Sequence, residues 1–340
     1  MSNLLSRYRL QVTTVGAMLV LTMGGLMWLA ISQNRTIPGQ TRDQFAQDRD
    51  QPMQEIPFDG KRAMRYLEAL CELGPRISGS EGMKRQQMLL TKHFEQHGAK
   101  VTRQVFEAKQ RSQPKPVEMV NLIASWFPDR KRRVIFCGHY DTRPIADQEP
   151  RRQDWTKPFL SANDGTSTMA WLMELAHHMK NFPTAVGVDF VCFDGEEYIF
   201  NPGPDVLTRD RYFIGSEHFA NEYRRHPPQH IYTAAILLDL FAHKNARYPV
   251  EENSRFGAGK LVEEVWTIAK ELKVDAFRWE RGLEIQDDHL ALQRVGIPAI
   301  DIIDFDYPHW HRLSDTPDKC DPAAFERVGR VLTVWLQRQK

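Results

Sequence analysis

The sequence has little cysteine and almost no net charge. Its 340 residues include four cysteines, which lie far apart and form no C-x-x-C pair, so a cysteine zinc site and a thioredoxin-type redox centre are both excluded. Cys137 and Cys192 fall within apolar runs, and we expect both to be buried.

Lys and Arg total 45 against 44 for Asp and Glu, which gives a formal net charge of +1. This balance argues against a nucleic-acid binder, because such a protein concentrates a basic excess on one face. The basic stretch 130–133 is accordingly interpreted as a solvated turn before a strand.

Long hydrophobic runs are also absent from the sequence, apart from one near the N-terminus. Residues 10–31 carry no charge, and about 20 apolar residues suffice to cross a bilayer as a helix. A bulky Trp28 makes the only candidate cleavage site a poor one, so we expect an uncleaved signal anchor over residues 1–32, with a secreted, cleaved form as the alternative. Arg7 and Arg9 precede the run and favour a globular domain on the extracytoplasmic side. A polar linker, 33–58, would join the anchor to that domain, 59–340.

Beyond residue 59, short apolar runs alternate with segments of helical spacing. This alternation predicts an α/β fold, namely a three-layer α/β/α sandwich with a mixed, mostly parallel central sheet. Strands are predicted over 101–106, 119–126, 134–140, 188–193, 234–240 and 299–303. Helices are predicted over 62–73, 82–97, 166–179, 213–223, 261–272 and 322–339.

Acids and histidines gather near the ends of the predicted strands. In open α/β sheets, ligands bind beyond the carboxyl ends of the strands, so these side chains are candidates for one site. Two adjacent glutamates repel each other unless a cation or a shared proton relieves them, and imidazole with carboxylate ligands suits zinc. The candidates are His139, Asp141, Asp164, Asp194, Glu196, Glu197, Asp239, His309 and His311.

Several of these residues also have ordinary structural interpretations. Asp164 stands directly before a predicted helix and could be a simple helix cap. His177 and His178 are interpreted as exposed helix residues, and His289 as a structural histidine. His309 is not expected to be a ligand.

The order of the motifs resembles that of the zinc aminopeptidase family, and most of all its glutaminyl-peptide cyclotransferase branch. The resemblance extends from about residue 74 to the C-terminus. It is carried by LGPRISGSEG, MVNLIAS, CGHYDT, DGEE, GLEIQDDHLALQRVGIPAI and HWHRLSDTPD. It implies that Asp164, Glu197 and His311 hold one zinc ion and that Glu196 is the general acid and base.

The same resemblance assigns further roles around the zinc. Asp239 and Asp287 would be catalytic acids in a hydrogen-bonded network, while Trp310 and Gln286 would contact the substrate. In the two-zinc aminopeptidases, the positions of His139 and Asp239 hold a second metal, with Asp164 as the bridge. One zinc ion is the main expectation, and two is the alternative.

The expected activity is zinc-dependent cyclisation of an N-terminal glutamine to pyroglutamate, with release of ammonia. A zinc aminopeptidase is the alternative, and a catalytically silent binding ectodomain is a third possibility. Asn201 and Pro202 stand where the animal cyclases carry a tryptophan, so the sequence alone does not choose the substrate. The expected partners are peptide or protein N-termini and, through the N-terminal helix, a membrane; no nucleic acid is expected.

Overall fold

A six-stranded mixed sheet forms the centre of the computed structural model, which describes residues 56–205 and 207–340. In space the strands follow the order β1-β2-β4-β3-β5-β8; β4, β3, β5 and β8 run parallel, whereas β1 and β2 are antiparallel to their neighbours. The prediction of an α/β fold with a mostly parallel sheet is confirmed. The strands are β1 (Lys100–Ala108), β2 (Val117–Trp126), β3 (Arg132–His139), β4 (Gly187–Phe193), β5 (Ile231–Asp239), β6 (Tyr248–Val250), β7 (Phe277–Arg281) and β8 (Ala299–Ile303).

All six predicted helices are present. The helices are α1 (Gly60–Cys71), α2 (Glu81–Gln96), α3 (Ser167–Met179), α4 (Ile214–Arg225), α5 (Glu252–Glu271), α6 (His289–Gln293) and α7 (Pro322–Gln337). The short α6 and the two-stranded β6–β7 sheet were not predicted. The helix α5 begins nine residues before its predicted start, and a kink at Ala258 (φ −148°) separates this first segment from the predicted one. The Glu251 carboxylate caps the first segment by accepting hydrogen bonds from the N–H groups of Asn253 and Ser254.

The central strands are buried on both faces, and alternate side chains enter two separate apolar clusters. Phe136 and Phe190 belong to the larger cluster, which also receives side chains from α1, α2, α3, α5 and α7. Ile135 and Val191 belong to a smaller cluster on the opposite face, with side chains from α4 and α6. Helices therefore cover both faces of the sheet.

The cysteines serve as buried apolar residues. All four are free and buried, as expected for Cys137 and Cys192. Among the described residues no helix is long and apolar enough to cross a membrane. The predicted anchor, 1–32, and the linker up to residue 55 lie outside the described residues.

The interpretation of the basic stretch 130–133 as a solvated turn is wrong for Arg133. Its guanidinium is 2% exposed and lies 2.5 Å (Nη2 to Oδ1) and 3.0 Å (Nε to Oδ2) from the carboxylate of Asp189. Gly187 is its cross-strand neighbour, and a Cβ there would lie 2.1 Å from Nη1 of Arg133. The missing side chain of Gly187 thus makes room for a buried ion pair that no local pattern of charge could reveal.

Candidate metal and catalytic site

The carboxyl ends of the parallel strands meet at one edge of the sheet and carry the candidate residues. His139 and Asp239 are the last residues of β3 and β5, and Glu196 and Glu197 follow β4 within four residues. The Nε2 atom of His139 lies 3.1 Å from Oδ1 of Asp164 and 3.5 Å from Oδ1 of Asp239. Side chains that are up to 100 residues apart in sequence therefore share one buried cluster.

The three predicted zinc ligands converge within this cluster. The Nε2 atom of His311 is 2.5 Å from Oε1 of Glu197 and 3.8 Å from Oδ2 of Asp164. One donor atom from each residue lies within 4.8 Å of the others, and the three residues are 2–4% exposed. These distances allow the three side chains to contact one common ion.

The donor atoms in this cluster fit a divalent cation. Within the described part of the chain, Oδ2 of Asp164 and Oε2 of Glu197 are buried without a hydrogen-bond partner. Burial and the neighbouring charge of Glu197 raise the pKa of Asp164 to about 7. Buried carboxylates without partners are costly, and a cation would relieve both the desolvation and the repulsion. Carboxylate oxygen and imidazole nitrogen are both zinc ligands, and three protein ligands are the number that catalytic zinc sites use.

A second group of donors overlaps the first. His139, Asp164 and Asp239 each place a donor atom within 4.8 Å of the others, and so do His139, Glu196 and Glu197. Asp164 belongs to both the first and the second group, which is the arrangement a bridging ligand requires. The donor positions are compatible with one ion or with two.

A sharp turn before α3 directs Asp164 into the cluster. Asp164 has φ −83° and ψ 97°, and Gly165 has φ +74°, so the chain is not helical there. A Cβ at Gly165 would lie 2.5 Å from the His139 ring, which excludes larger residues. The Asp315 carboxylate accepts hydrogen bonds from the N–H groups of Asn163 (2.9 Å) and Asp164 (3.2 Å). The interpretation of Asp164 as a simple helix cap is therefore wrong.

The Glu196–Glu197 pair is held by Asp141. Its carboxylate accepts hydrogen bonds from the N–H groups of Glu196 (3.1 Å) and Glu197 (3.0 Å), and its Oδ1 lies 3.7 Å from Nδ1 of His139. Burial and the charge of Glu197 raise the pKa of Glu196 well above its usual range. For Glu197, burial opposes ionisation, but His311 and Arg143 lower the pKa to about 2. The surroundings therefore shift the pKa values of the two neighbouring acids in opposite directions.

Three further residues support the ligands and were not predicted. The Nδ1 atom of His311 lies 3.0 Å from Oδ1 of Asp147, which sets the orientation of the ring. Arg143 donates to Asp147 at 2.9 Å, and its Nη1 lies 3.6 Å from Oε1 of Glu197. Asp315 holds the Asp164 turn. In the sequence, Asp315 falls within the quoted segment HWHRLSDTPD and Arg143 directly follows CGHYDT, whereas Asp147 lies five residues beyond that segment.

The remaining predicted residues differ in how far they are buried. Asp239 and Asp287 are buried, and burial together with the charge of Asp239 raises the pKa of Asp287 well above its usual range. The Trp310 ring centroid lies 3.9 Å from that of His311, whereas Gln286 is exposed. Buried Asp288 and Asp301 are further acids that the sequence analysis missed.

Two other histidines lie outside the three donor groups, as expected. His309 contacts the hydroxyl of Ser314 at 2.8 Å. His289 is fully buried, and its Nε2 lies 3.4 Å from the Glu251 carboxylate. Neither belongs to a group of potential ligands in the part of the chain that the structure describes.

Comparison with known proteins assigns the family. Residues 121–336 match Peptidase family M28. The chain belongs to this family, and its relatives place it in the glutaminyl cyclase branch. It is 56% identical to the solved glutaminyl cyclase of Fimbriiglobus ruber, with a TM-score of 0.83 over 85% of this chain and 98% of that one.

Other relatives are more distant. A leucine aminopeptidase precursor from Bacteroides thetaiotaomicron is 28% identical, with a TM-score of 0.78 over 85% of this chain and all of that one. The glutaminyl-peptide cyclotransferase of Bos taurus is 25% identical over 248 residues, which are 64% of this chain. The match spans 65% of the bovine protein, slightly less than two thirds of its length.

The crowded turn at Gly165 leads to a prediction about stability. Gly165→Ala should lower the free energy of unfolding by roughly 3 kcal/mol, because a left-handed φ and a clash with His139 add together. Gly296→Ala is the matched control, since Gly296 also has a positive φ (+83°) but a Cβ at that position would meet nothing within 4 Å. The control should lose only about 1–2 kcal/mol. Urea denaturation of both variants measures the two losses of unfolding free energy. Equal losses in the two variants would contradict the steric argument.

Proposed function

We propose that this chain is a zinc-dependent glutaminyl-peptide cyclotransferase, which converts the N-terminal glutamine of peptides or proteins to pyroglutamate. The observation that carries the proposal is the convergence of Asp164, Glu197 and His311 beside a buried Glu196. The 56% identity to a bacterial glutaminyl cyclase over nearly the whole of that chain supports the same activity. Peptidase family M28 and the glutaminyl cyclases are zinc-dependent, which agrees with the donor set.

In the proposed reaction, Asp164, Glu197 and His311 would hold the zinc ion. When bound, zinc supplies Lewis-acid polarisation of the side-chain amide carbonyl. Asp141, Asp147 and Arg143 would fix the ligands through the contacts described above. The substrate provides its own nucleophile, because the α-amine and the amide belong to one residue; this tethering replaces a second reactant with a high effective concentration.

Glu196 would move the proton. The α-amine nitrogen forms a bond to the amide carbon, loses a proton to the Glu196 carboxylate, and the amide nitrogen leaves as ammonia after it receives that proton. Burial of Glu196, with Glu197 as a charged neighbour, favours proton uptake by its carboxylate. One carboxylate can thus serve as base and then as acid without net consumption of protons.

The other predicted residues would position the substrate. Asp239 and Asp287 are buried acids that would form the hydrogen-bonded network implied by the resemblance, and Asp239 would hold the α-amine. Trp310 lies against His311 and would form an aromatic wall beside the reacting amide. Gln286 is exposed and would contact the peptide at the rim.

The alternative function is that of an aminopeptidase. It is favoured by the overlapping group of His139, Asp164 and Asp239, which could hold a second ion, and by the likeness to a leucine aminopeptidase precursor. In that reaction Glu196 would take a proton from an attacking water. The complete donor set gives no support to a catalytically silent ectodomain.

The two activities are separated by their products. The full chain is incubated with a Gln-initiated and a Leu-initiated peptide of otherwise identical sequence. The mass of the Gln-initiated peptide should fall by that of one ammonia molecule, and the Leu-initiated peptide should stay intact. Mass spectrometry of both peptides measures this. Release of free leucine, with the Gln-initiated peptide uncyclised, would instead establish the aminopeptidase.

Glu196→Gln should retain zinc and lose roughly two to four powers of ten in kcat/KM, the usual weight of a general base. The matched control is Glu217→Gln on α4, since Glu217 contacts only Arg211 and Arg294 among the described ion pairs. Rates are compared with zinc content measured on the same samples. Normal turnover by Glu196→Gln would show that another group carries the proton.

We further propose that residues 1–32 anchor the chain in a membrane and that the catalytic domain lies on its extracytoplasmic side. The support is the uncharged run 10–31 after Arg7 and Arg9, and a cleaved, secreted form is the alternative. Fractionation of expressing cells tests this: full-length chain in the soluble fraction would contradict it.

A further inference from the structure

Three histidines form a second cluster outside the catalytic site. His93 lies in the last turn of α2, His97 directly follows the last residue of that helix, and His177 lies near the end of α3. One ring nitrogen from each residue lies within 4.8 Å of the others. His177 is ten residues beyond Ser167, the first residue of α3, which corresponds to about 15 Å along the helix. The interpretation of His177 and His178 as exposed helix residues is wrong, since both are partly buried; the His177 ring stacks on Tyr66 and lies tilted against His97.

Backbone carbonyls determine which nitrogens of His93 and His97 carry lone pairs. The Nε2 atom of His93 lies 2.8 Å from the carbonyl oxygen of Met173, and Nδ1 of His97 lies 2.8 Å from that of His93. A carbonyl oxygen only accepts hydrogen bonds, so both of these nitrogens carry hydrogen. In the neutral rings, Nδ1 of His93 and Nε2 of His97 therefore carry the lone pairs. Metal-binding histidines in proteins are oriented in the same way, by a hydrogen bond from the second nitrogen.

The His177 ring can offer a third lone pair after a change of tautomer. The Nδ1 atom of His177 lies 3.1 Å from Nε2 of His97, and its Nε2 lies 2.5 Å from the hydroxyl of Tyr66 on α1. Transfer of the ring hydrogen from Nδ1 to Nε2, where the Tyr66 oxygen can accept it, leaves Nδ1 with a lone pair. The separation of 3.1 Å is close to that of two nitrogens bound to one ion at about 2.0–2.1 Å each.

The charges around the cluster permit a cation. Arg62, whose charge acts on the pKa of His93 and His177, is paired with Glu174 through contacts of 2.5 and 2.8 Å. His178 also contacts Glu174, at 3.3 Å. Burial lowers the pKa of both His93 and His177 to about 4, so both rings are neutral near pH 7 and able to bind metal.

We propose that His93, His97 and His177 form a second zinc site, separate from the catalytic cluster, which links α2 to α3. Three imidazoles suit zinc, and the partial exposure of His97 and His177 leaves space for water as a fourth ligand. The α3 helix begins directly after the Asp164 turn, so a bound ion would also stabilise the helix that follows a catalytic ligand.

The experiment counts zinc ions in the full chain. Metal-free wild type, His97→Ala and His177→Gln are dialysed against the same buffered concentration of free zinc, and bound zinc is measured by elemental analysis. Wild type should bind one equivalent more than either variant. His226→Ala is the matched control, because His226 is exposed and contacts only Glu222 in the described ion pairs; it should bind as much as wild type.

Two further measurements separate this site from the catalytic one. Cyclase activity should be unchanged in His97→Ala, which also shows that the variant is folded. Glu197→Ala should lose the catalytic equivalent, and Glu197→Ala with His97→Ala should lose one more. Zinc content equal to that of wild type in both His97→Ala and His177→Gln would overturn the proposal, whatever the catalytic activity.

Discussion

The structure depends on keeping several carboxylates close together in a buried site. Asp164, Glu196, Glu197 and Asp239 lie at one edge of the sheet, each no more than 8% exposed. Like charges in such a place are unfavourable unless protons are shared or a cation is bound, and the unpartnered oxygens of Asp164 and Glu197 indicate where a cation would bind. Because of this constraint, several surrounding residues hydrogen-bond to these acids or to their backbone and fix their positions.

The groups that position these acids do so mainly through hydrogen bonds with the backbone. Asp141 accepts from the N–H groups of both glutamates, and Asp315 accepts from that of Asp164, so carboxylates outside the ligand set fix the peptide units that carry the ligands. His311 itself has φ +53°, and Leu240, directly after Asp239, has φ +48°. Non-glycine residues in this region are strained and persist where their surroundings determine them, which is common at functional sites. The geometry of the site is therefore built into turns as well as strands.

Much of this could be predicted from the sequence, for a specific physical reason. Parallel strands bring their carboxyl ends to one edge, so acids after separate apolar runs were expected to meet, and Asp164, Glu197 and His311 do. The supporting contacts of Arg143 and Asp147 depend on the path of a loop, which has no periodic pattern. The Arg133–Asp189 pair depends on a glycine across the sheet. The histidine cluster joins His93 and His97 to His177, which lies 80 or more positions further along the chain, so neither segment alone reveals it.

The central claim is that Asp164, Glu197 and His311 bind one divalent ion in common. Crystals of the zinc-loaded protein, measured on both sides of the zinc absorption edge, test it most directly. We expect an anomalous difference peak within bonding distance of all three side chains, with Glu196 beside it. A zinc-loaded crystal in which the three side chains are ordered but share no peak would contradict the account.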